Sequence, residues 1–266
     1  MLSFARRLSN ALSVRGRAPR AGAKRGGGRF CKAAALLALL PLLTGCLYPK
    51  EMRKENQATV KESVLIVQNA IDQYKEKNGV LPIKNSETNT PIYEKYTIDL
   101  KKLTSGPYLG QVPAIAFENG GSYLFVLVHP EQKPEVKLLD LVAYQKTGDI
   151  QKSVDAYRKA NGGRLPLGEP AGTGIYRLDF AKLGQKAEQV QSAFSRQYLG
   201  FLIDRDGIVG IDYASDIMQA MERKGMKSAE SGVDLRELLV ADAPFVPVKS
   251  FPYYWIDGEP KAAACP

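Results

Sequence analysis

Catalysis near neutral pH needs side chains that can hold or release a proton there, and His129 is the only histidine in the chain. Any Ser-His-Asp or Cys-His arrangement would have to use it. It stands in Val128-His129-Pro130-Glu131, at the expected end of a strand, where a histidine is ordinarily a solvated loop residue. Carboxylates come next: Asp99, Asp140, Glu169 and Asp179 could pair in space for acid–base hydrolysis. Asp99 and Asp179 are the best placed, because they take corresponding positions in two similar segments, yet such a position equally suits a turn or a cap. Asp204-Arg205-Asp206-Gly207 hints at calcium, but the remaining ligands of an EF-hand loop are missing and a hairpin turn accounts for it. Gly172-Thr173-Gly174 is too short for a phosphate loop and reads as a flexible connection. No GxSxG, Walker or HExxH motif occurs, and one histidine makes a conventional zinc site a poor fit. The expectation is no catalytic residue, no metal and no cofactor, and a protein that is not an enzyme.

The chemistry that the sequence does specify is covalent and lies at Cys46. Nine of the 37 Lys and Arg residues precede it, in a stretch without Asp or Glu, leaving 28 bases against 28 acids in the remainder. The net charge of +9 therefore belongs to the leading segment, and the electrostatic case for nucleic acid disappears. That segment runs into the 11 apolar residues of 33–43, too few to span a bilayer, which takes about 20. Leu43-Thr44-Gly45-Cys46 follows and resembles the bacterial lipobox. The resemblance implies recognition of Leu43, Thr44 and Gly45 by the lipoprotein signal peptidase, cleavage before Cys46 and a diacylglycerol on its thiol. Two acyl chains hold stably where one is marginal. Residues 1–45 are expected to be a lipoprotein signal peptide and 46–53 an anchor linker. Cys31 would leave with the signal and Cys46 is taken by lipid, so Cys265 alone remains, too few for an intramolecular disulfide.

Positioning elements come in duplicate. Ile71 to Ile83, IDQYKEKNGVLPI, returns as Val154 to Leu167, VDAYRKANGGRLPL, with one inserted residue. Ile92-Tyr93 and Ile98-Asp99-Leu100-Lys101-Lys102-Leu103 are answered by Ile175-Tyr176 and Leu178-Asp179-Phe180-Ala181-Lys182-Leu183, a period of about 83 residues. Val60, Val64, Val67, Ile71 and Tyr74 fall on one helical face, as do Ile150, Val154 and Tyr157. Asn-Gly then ends each helix and Leu-Pro prevents its resumption. Residues 122–128 with 135–141, and 198–203 with 208–213, read as hairpins. The predicted fold is α+β: tandem units at 54–145 and 146–214, each a helix packed on a small antiparallel sheet, then 215–266 as two short helices, an irregular C-terminal strap and a weakly structured tail. Tyr253, Tyr254 and Trp255 in that strap are candidate partner contacts, although packing across a domain is the plainer reading, with Trp255 mostly buried.

Cys46-Leu47-Tyr48-Pro49, the AIDQYKEKNGVLPI phrase, Thr90-Pro91-Ile92-Tyr93 and Lys137-Leu138-Leu139-Asp140-Leu141 together resemble uncharacterised lipoproteins of Bacillus-type Gram-positive bacteria, over most of residues 46–213. That family lends an address and no activity. A fainter likeness to pilin and pseudopilin domains concerns the helix-on-sheet shape only. The expected protein is a non-enzymatic interaction or envelope-associated module on the extracytoplasmic face of the cell membrane. Its partners would be the bilayer, through Cys46, and an envelope protein or cell-wall component, with no nucleic acid. The alternatives are a solute-binding lipoprotein of a transporter and a carboxylate-dependent cell-wall hydrolase.

Overall fold

The structure, a computed structural model, describes residues 50–264. Leu43, Thr44, Gly45, Cys46 and Cys265 lie outside the described residues. The first helix, α1, runs from Lys50 to Asn78, so four residues assigned to the linker, 50–53, are helical. Val67, Ala70 and Ile71 are buried beneath it, with Val60, Val64 and Tyr74 partly so, the spacing read from sequence. Asn78 closes the helix by donating Nδ2–H to Tyr74 O at 2.8 Å, and Gly79 takes φ +70°, where a side chain would be strained. Two short helices follow, α2 (Ile92–Lys95) and α3 (Leu100–Thr104), then the antiparallel pair β1 (Tyr123–Val128) and β2 (Glu135–Asp140).

Asp140 ends β2 and caps α4 (Leu141–Ala160), its Oδ1 accepting from Val142 N–H at 2.8 Å and Ala143 N–H at 3.2 Å. The second copy's helix thus starts five residues ahead of the expected boundary at 146. Ala143, Thr147, Ile150 and Val154 form its buried face. After it come β3 (Leu167–Thr173), β4 (Ile175–Leu178), β5 (Val190–Gln191), β6 (Tyr198–Leu199), β7 (Phe201–Asp204) and β8 (Val209–Ile211). The run read as one strand, 198–203, is split at Gly200: β6 pairs with β5, whereas β7 joins β4 and β8.

Hydrogen bonds demonstrate the duplication better than the sequence does. Gln68 donates to Pro134 O and accepts from Val136 N–H at 2.8 Å; Gln151 donates to Gly207 O and accepts from Val209 N–H at 2.8 Å. Each glutamine ties its helix to the second strand of its hairpin. Asp99 N–H donates to Pro82 O at 2.8 Å and Asp179 N–H to Pro166 O at 2.9 Å. Ile83 pairs with Ile98 as Leu167 pairs with Leu178. These matches set β1–β2 equivalent to β7–β8, with Leu138 corresponding to Ile211.

The hairpin β1–β2 lies between two cores. Phe125, Leu127, Val136 and Leu138 face the cluster under α1, while Val126, Val128 and Leu139 join the larger cluster built on α4 and the second sheet. Strand side chains alternate, so a hairpin covered on both faces needs an unbroken apolar run, which Tyr123 to Val128 supplies.

The C-terminal region departs most from expectation. α5 (Ala214–Arg223) and α6 (Arg236–Asp242) are the two short helices. A strap follows, in which Pro244 O accepts from Leu138 N–H at 2.8 Å and Lys249 O from Ile211 N–H at 2.8 Å, so it bonds the same position of both hairpins. The tail beyond is not irregular. β9 (Tyr253–Ile256) and β10 (Glu259–Ala263) form a hairpin that joins the second sheet, giving the order β8-β7-β4-β3-β10-β9. That sheet is mixed, since β10 runs parallel to β3. The hairpin itself has a local cause: Asp257 and Gly258, at φ +53° and +82°, make the tight turn that strand twist favours in two-residue hairpins.

Candidate functional site

Three of the four candidate acid–base carboxylates, Asp99, Asp140 and Asp179, hold the backbone. Asp99 accepts from Lys102 N–H at 3.3 Å, and Asp179 Oδ1 from Lys182 and Ala181 N–H at 3.2 and 3.0 Å, which pulls the Asp179 pKa down. Both are caps at equivalent turns. Asp204 Oδ1 accepts from Asp206 and Ile208 N–H at 2.9 and 2.8 Å, the hairpin turn expected there. Glu169 is exposed on β3, and Gly172-Thr173-Gly174 ends β3 and turns into β4. Among the described residues no group of three or more His, Cys, Asp or Glu is placed to hold a metal ion.

His129 follows β1 directly, half-exposed at φ +50°, with Nε2 3.0 Å from Glu237 Oε2. Tyr93 donates its hydroxyl to Glu237 Oε1 at 2.6 Å, and the Arg236 guanidinium lies 4.9 Å over the Tyr93 ring. Burial, then the bond to Glu237, raises the Tyr93 pKa far above the usual phenol range, which keeps it a donor. The cluster clasps α6 to the first copy. Lys137 adds to the clasp by donating to Val240 O at 2.6 Å and Ala243 O at 3.1 Å. On α2, Glu94 accepts from Lys249 N–H at 2.8 Å and from its ammonium at 3.0 Å, locking the strap down.

Of the three candidate contacts, Tyr253 is corrected outright: it is fully buried, accepting from Tyr213 N–H at 2.9 Å and donating to Asp212 Oδ1 at 3.0 Å. Its pKa is raised by that burial. Tyr254 and Trp255 are partly buried, and Trp255 packs against the larger core, mostly covered as expected. One strand register puts Tyr253 against the core and leaves Trp255 at its margin.

The candidate binding site is an opening beside that hairpin, a cavity of about 470 Å³ bounded by Pro170 to Thr173 on β3 and Asp257 to Ala262 around β10. Arg177, Asp212, Ala214, Tyr253 and Ile256 complete its lining. Arg177 Nη1 stands 3.4 Å from Asp212 Oδ2, and Lys261 Nζ lies 2.9 Å from Asp257 and 3.5 Å from Glu259. The bond to Asp257 raises the Lys261 pKa. A second, shallower groove of about 390 Å³ lies along α4 by Lys146 and Glu188, themselves 2.9 Å apart. Sequence reasoning missed the first opening, although Pro170, Pro260 and the Asp257-Gly258 pair were its visible signals.

In the first turn of α5, Asp216 is buried, with Oδ2 accepting from Ser192 Oγ at 2.6 Å and Oδ1 without a hydrogen-bond partner among the described residues. Burial raises its pKa, against weaker lowering by Ser192, Ser195 and Arg223. A carboxyl that holds its proton more tightly folded than unfolded adds stability below its unfolded pKa and loses it as pH rises through the folded value. Asp216→Asn is therefore expected to melt above wild type at neutral pH, with the difference vanishing in acid. Melting curves across pH check this; a difference constant with pH would refute it.

Fold and site define an α+β protein made from a duplicated helix-and-hairpin unit, closed by a C-terminal strap that bonds both hairpins. Residues 60–140 match the family described as the YphF family N-terminal domain. The match starts at the first core position of α1 and stops at the residue that caps α4, so it spans the first copy. No curated protein and no solved structure matches the chain.

Proposed function

We propose that the protein is a lipoprotein anchored through diacylglycerol on Cys46 to the extracytoplasmic face of the cell membrane, where its fused copies act as a non-enzymatic interaction module. The observation that carries the anchor is the order of a basic region, 11 apolar residues and Leu43-Thr44-Gly45-Cys46. Likeness to lipoproteins of Bacillus-type Gram-positive bacteria agrees with that address. Supporting the non-enzymatic reading, Asp99, Asp140, Asp179 and Asp204 each commit one carboxylate oxygen, Oδ1, to backbone N–H groups. A hydrolase using carboxylates would need them turned toward a substrate. The solute-binding reading draws on one specific observation, the opening beside β10.

Cys46→Ala is expected to abolish palmitate labelling and to release the protein or leave its precursor uncleaved. Labelling that persists in this variant would sink the anchor. Crosslinking in intact cells should capture the wild type with an envelope protein or wall component, and cleavage of muropeptides in its presence would favour the hydrolase instead.

A further inference from the structure

We propose that the opening between β3 and β10 binds a small zwitterionic ligand, an amino acid or short peptide, with its carboxylate on Arg177 and its ammonium group on Asp257 and Glu259. The inference rests on reading the protein as a binder rather than an enzyme. Parallel pairing of β3 with β10 is confined to Gly172 with Ala262 and Thr173 with Ala263. There the strands touch, since a Cβ on Gly172 would meet Ala262 O at 1.9 Å. Two residues earlier each strand carries a proline, Pro170 and Pro260. Ala264 N–H donates to Thr173 O, so the next-but-one donor down β10 would be Pro260, which has no N–H to give; the ladder stops there and the sheet parts. The opening of about 470 Å³ is in the range of small-molecule sites, roughly 300 to 1,000 Å³.

Its charges are arranged in two groups. Asp212 is committed to the fold, with Oδ1 accepting from the Tyr253 hydroxyl at 3.0 Å and from Ala214 N–H at 3.1 Å. Arg177, whose side chain is 62% exposed, lines the opening and meets Asp212 through one contact of 3.4 Å, so most of its donor fork is left to solvent. That fork matches a carboxylate geometrically. On the other wall Asp257 and Glu259 share Lys261, and both are well exposed. The lining holds two bases, Arg177 and Lys261, against three acids, Asp212, Asp257 and Glu259. A simple anion would meet the excess acid and a simple cation would meet Arg177. A ligand carrying both charges satisfies both walls.

The test is calorimetric titration of the detergent-solubilised full chain with dialanine, N-acetyl-dialanine and dialanine amide. Dialanine is expected to bind in the millimolar range or tighter and to raise the melting temperature, and each singly charged analogue to bind at least ten-fold more weakly. Arg177→Gln should lower dialanine affinity at least ten-fold, leave the unliganded melting temperature unchanged, and make dialanine and its amide equivalent. Glu259→Gln should instead narrow the gap between dialanine and its N-acetyl form. Absence of dialanine binding, or binding indifferent to Arg177→Gln, overturns the site. Free alanine released during titration would overturn the non-enzymatic reading while upholding the site, so the two failures are distinguishable.

Discussion

A chain ending at Ala243 is expected to lose cooperative unfolding altogether, even though both copies of the repeat would remain in it. The segment from Pro244 onward supplies Val246, Val248, Phe251 and Tyr253 to the larger core. Burying such a side chain stabilises by about 1.5 to 3 kcal/mol, so these four contribute roughly 6 to 12 kcal/mol. A domain's whole stability is about 5 to 15 kcal/mol, so their loss removes most of it. Backbone pairing adds to the deficit, because Leu138 and Ile211 would lose the carbonyl partners that the strap provides. The measurement is urea unfolding followed by circular dichroism on full-length and shortened chains. A shortened chain that kept a sharp transition at the original midpoint would show that the strap is an ornament of the fold.

The repeat was legible in the sequence because its signals are local. Asn-Gly and Leu-Pro end each helix within a few residues, and Asp99 and Asp179 cap turns within three positions of themselves. A helix stripe such as Val60, Val64, Val67 and Ile71 announces its buried face through spacing alone. Long-range contacts leave no such trace. Glu94 meets Lys249 and Tyr93 meets Glu237 across more than 140 residues, and nothing near either member names the other.

The candidate site was illegible for a related reason. Pro260 is an ordinary edge or loop residue until parallel pairing sets its strand beside β3, when its missing N–H stops the ladder and leaves the opening. Likewise the run Tyr253 to Ile256 offers four large residues in succession, and period-two alternation cannot choose a face when every position is apolar or aromatic. Its register is fixed by the Asp257-Gly258 turn and by β3, an element about 90 residues earlier in the chain.

On the face so chosen Tyr253, rather than Trp255, is the side chain whose removal the fold should least tolerate, because it alone is fully buried. Tyr253 is 0% exposed, and its hydroxyl is sandwiched between Tyr213 N–H and Asp212. Tyr253→Ala leaves a ring-sized cavity and two buried partners unmet, a cost expected at about 3 to 5 kcal/mol. Tyr253→Phe keeps the ring and strands the Tyr213 N–H and one Asp212 bond, for about 1 to 3 kcal/mol. Trp255 is partly buried at the margin of the same core, so Trp255→Ala should cost less than Tyr253→Ala. Denaturant midpoints of the three variants, with unchanged denaturant slopes, rank these effects. An ordering with Tyr253→Ala worst and Tyr253→Phe between it and wild type is the signature of a ring that packs and a hydroxyl that pairs. If Tyr253→Phe matched wild type, the hydroxyl would not be bonding as described, and the cleft floor formed by Asp212 would lose the bond that orients it toward Arg177.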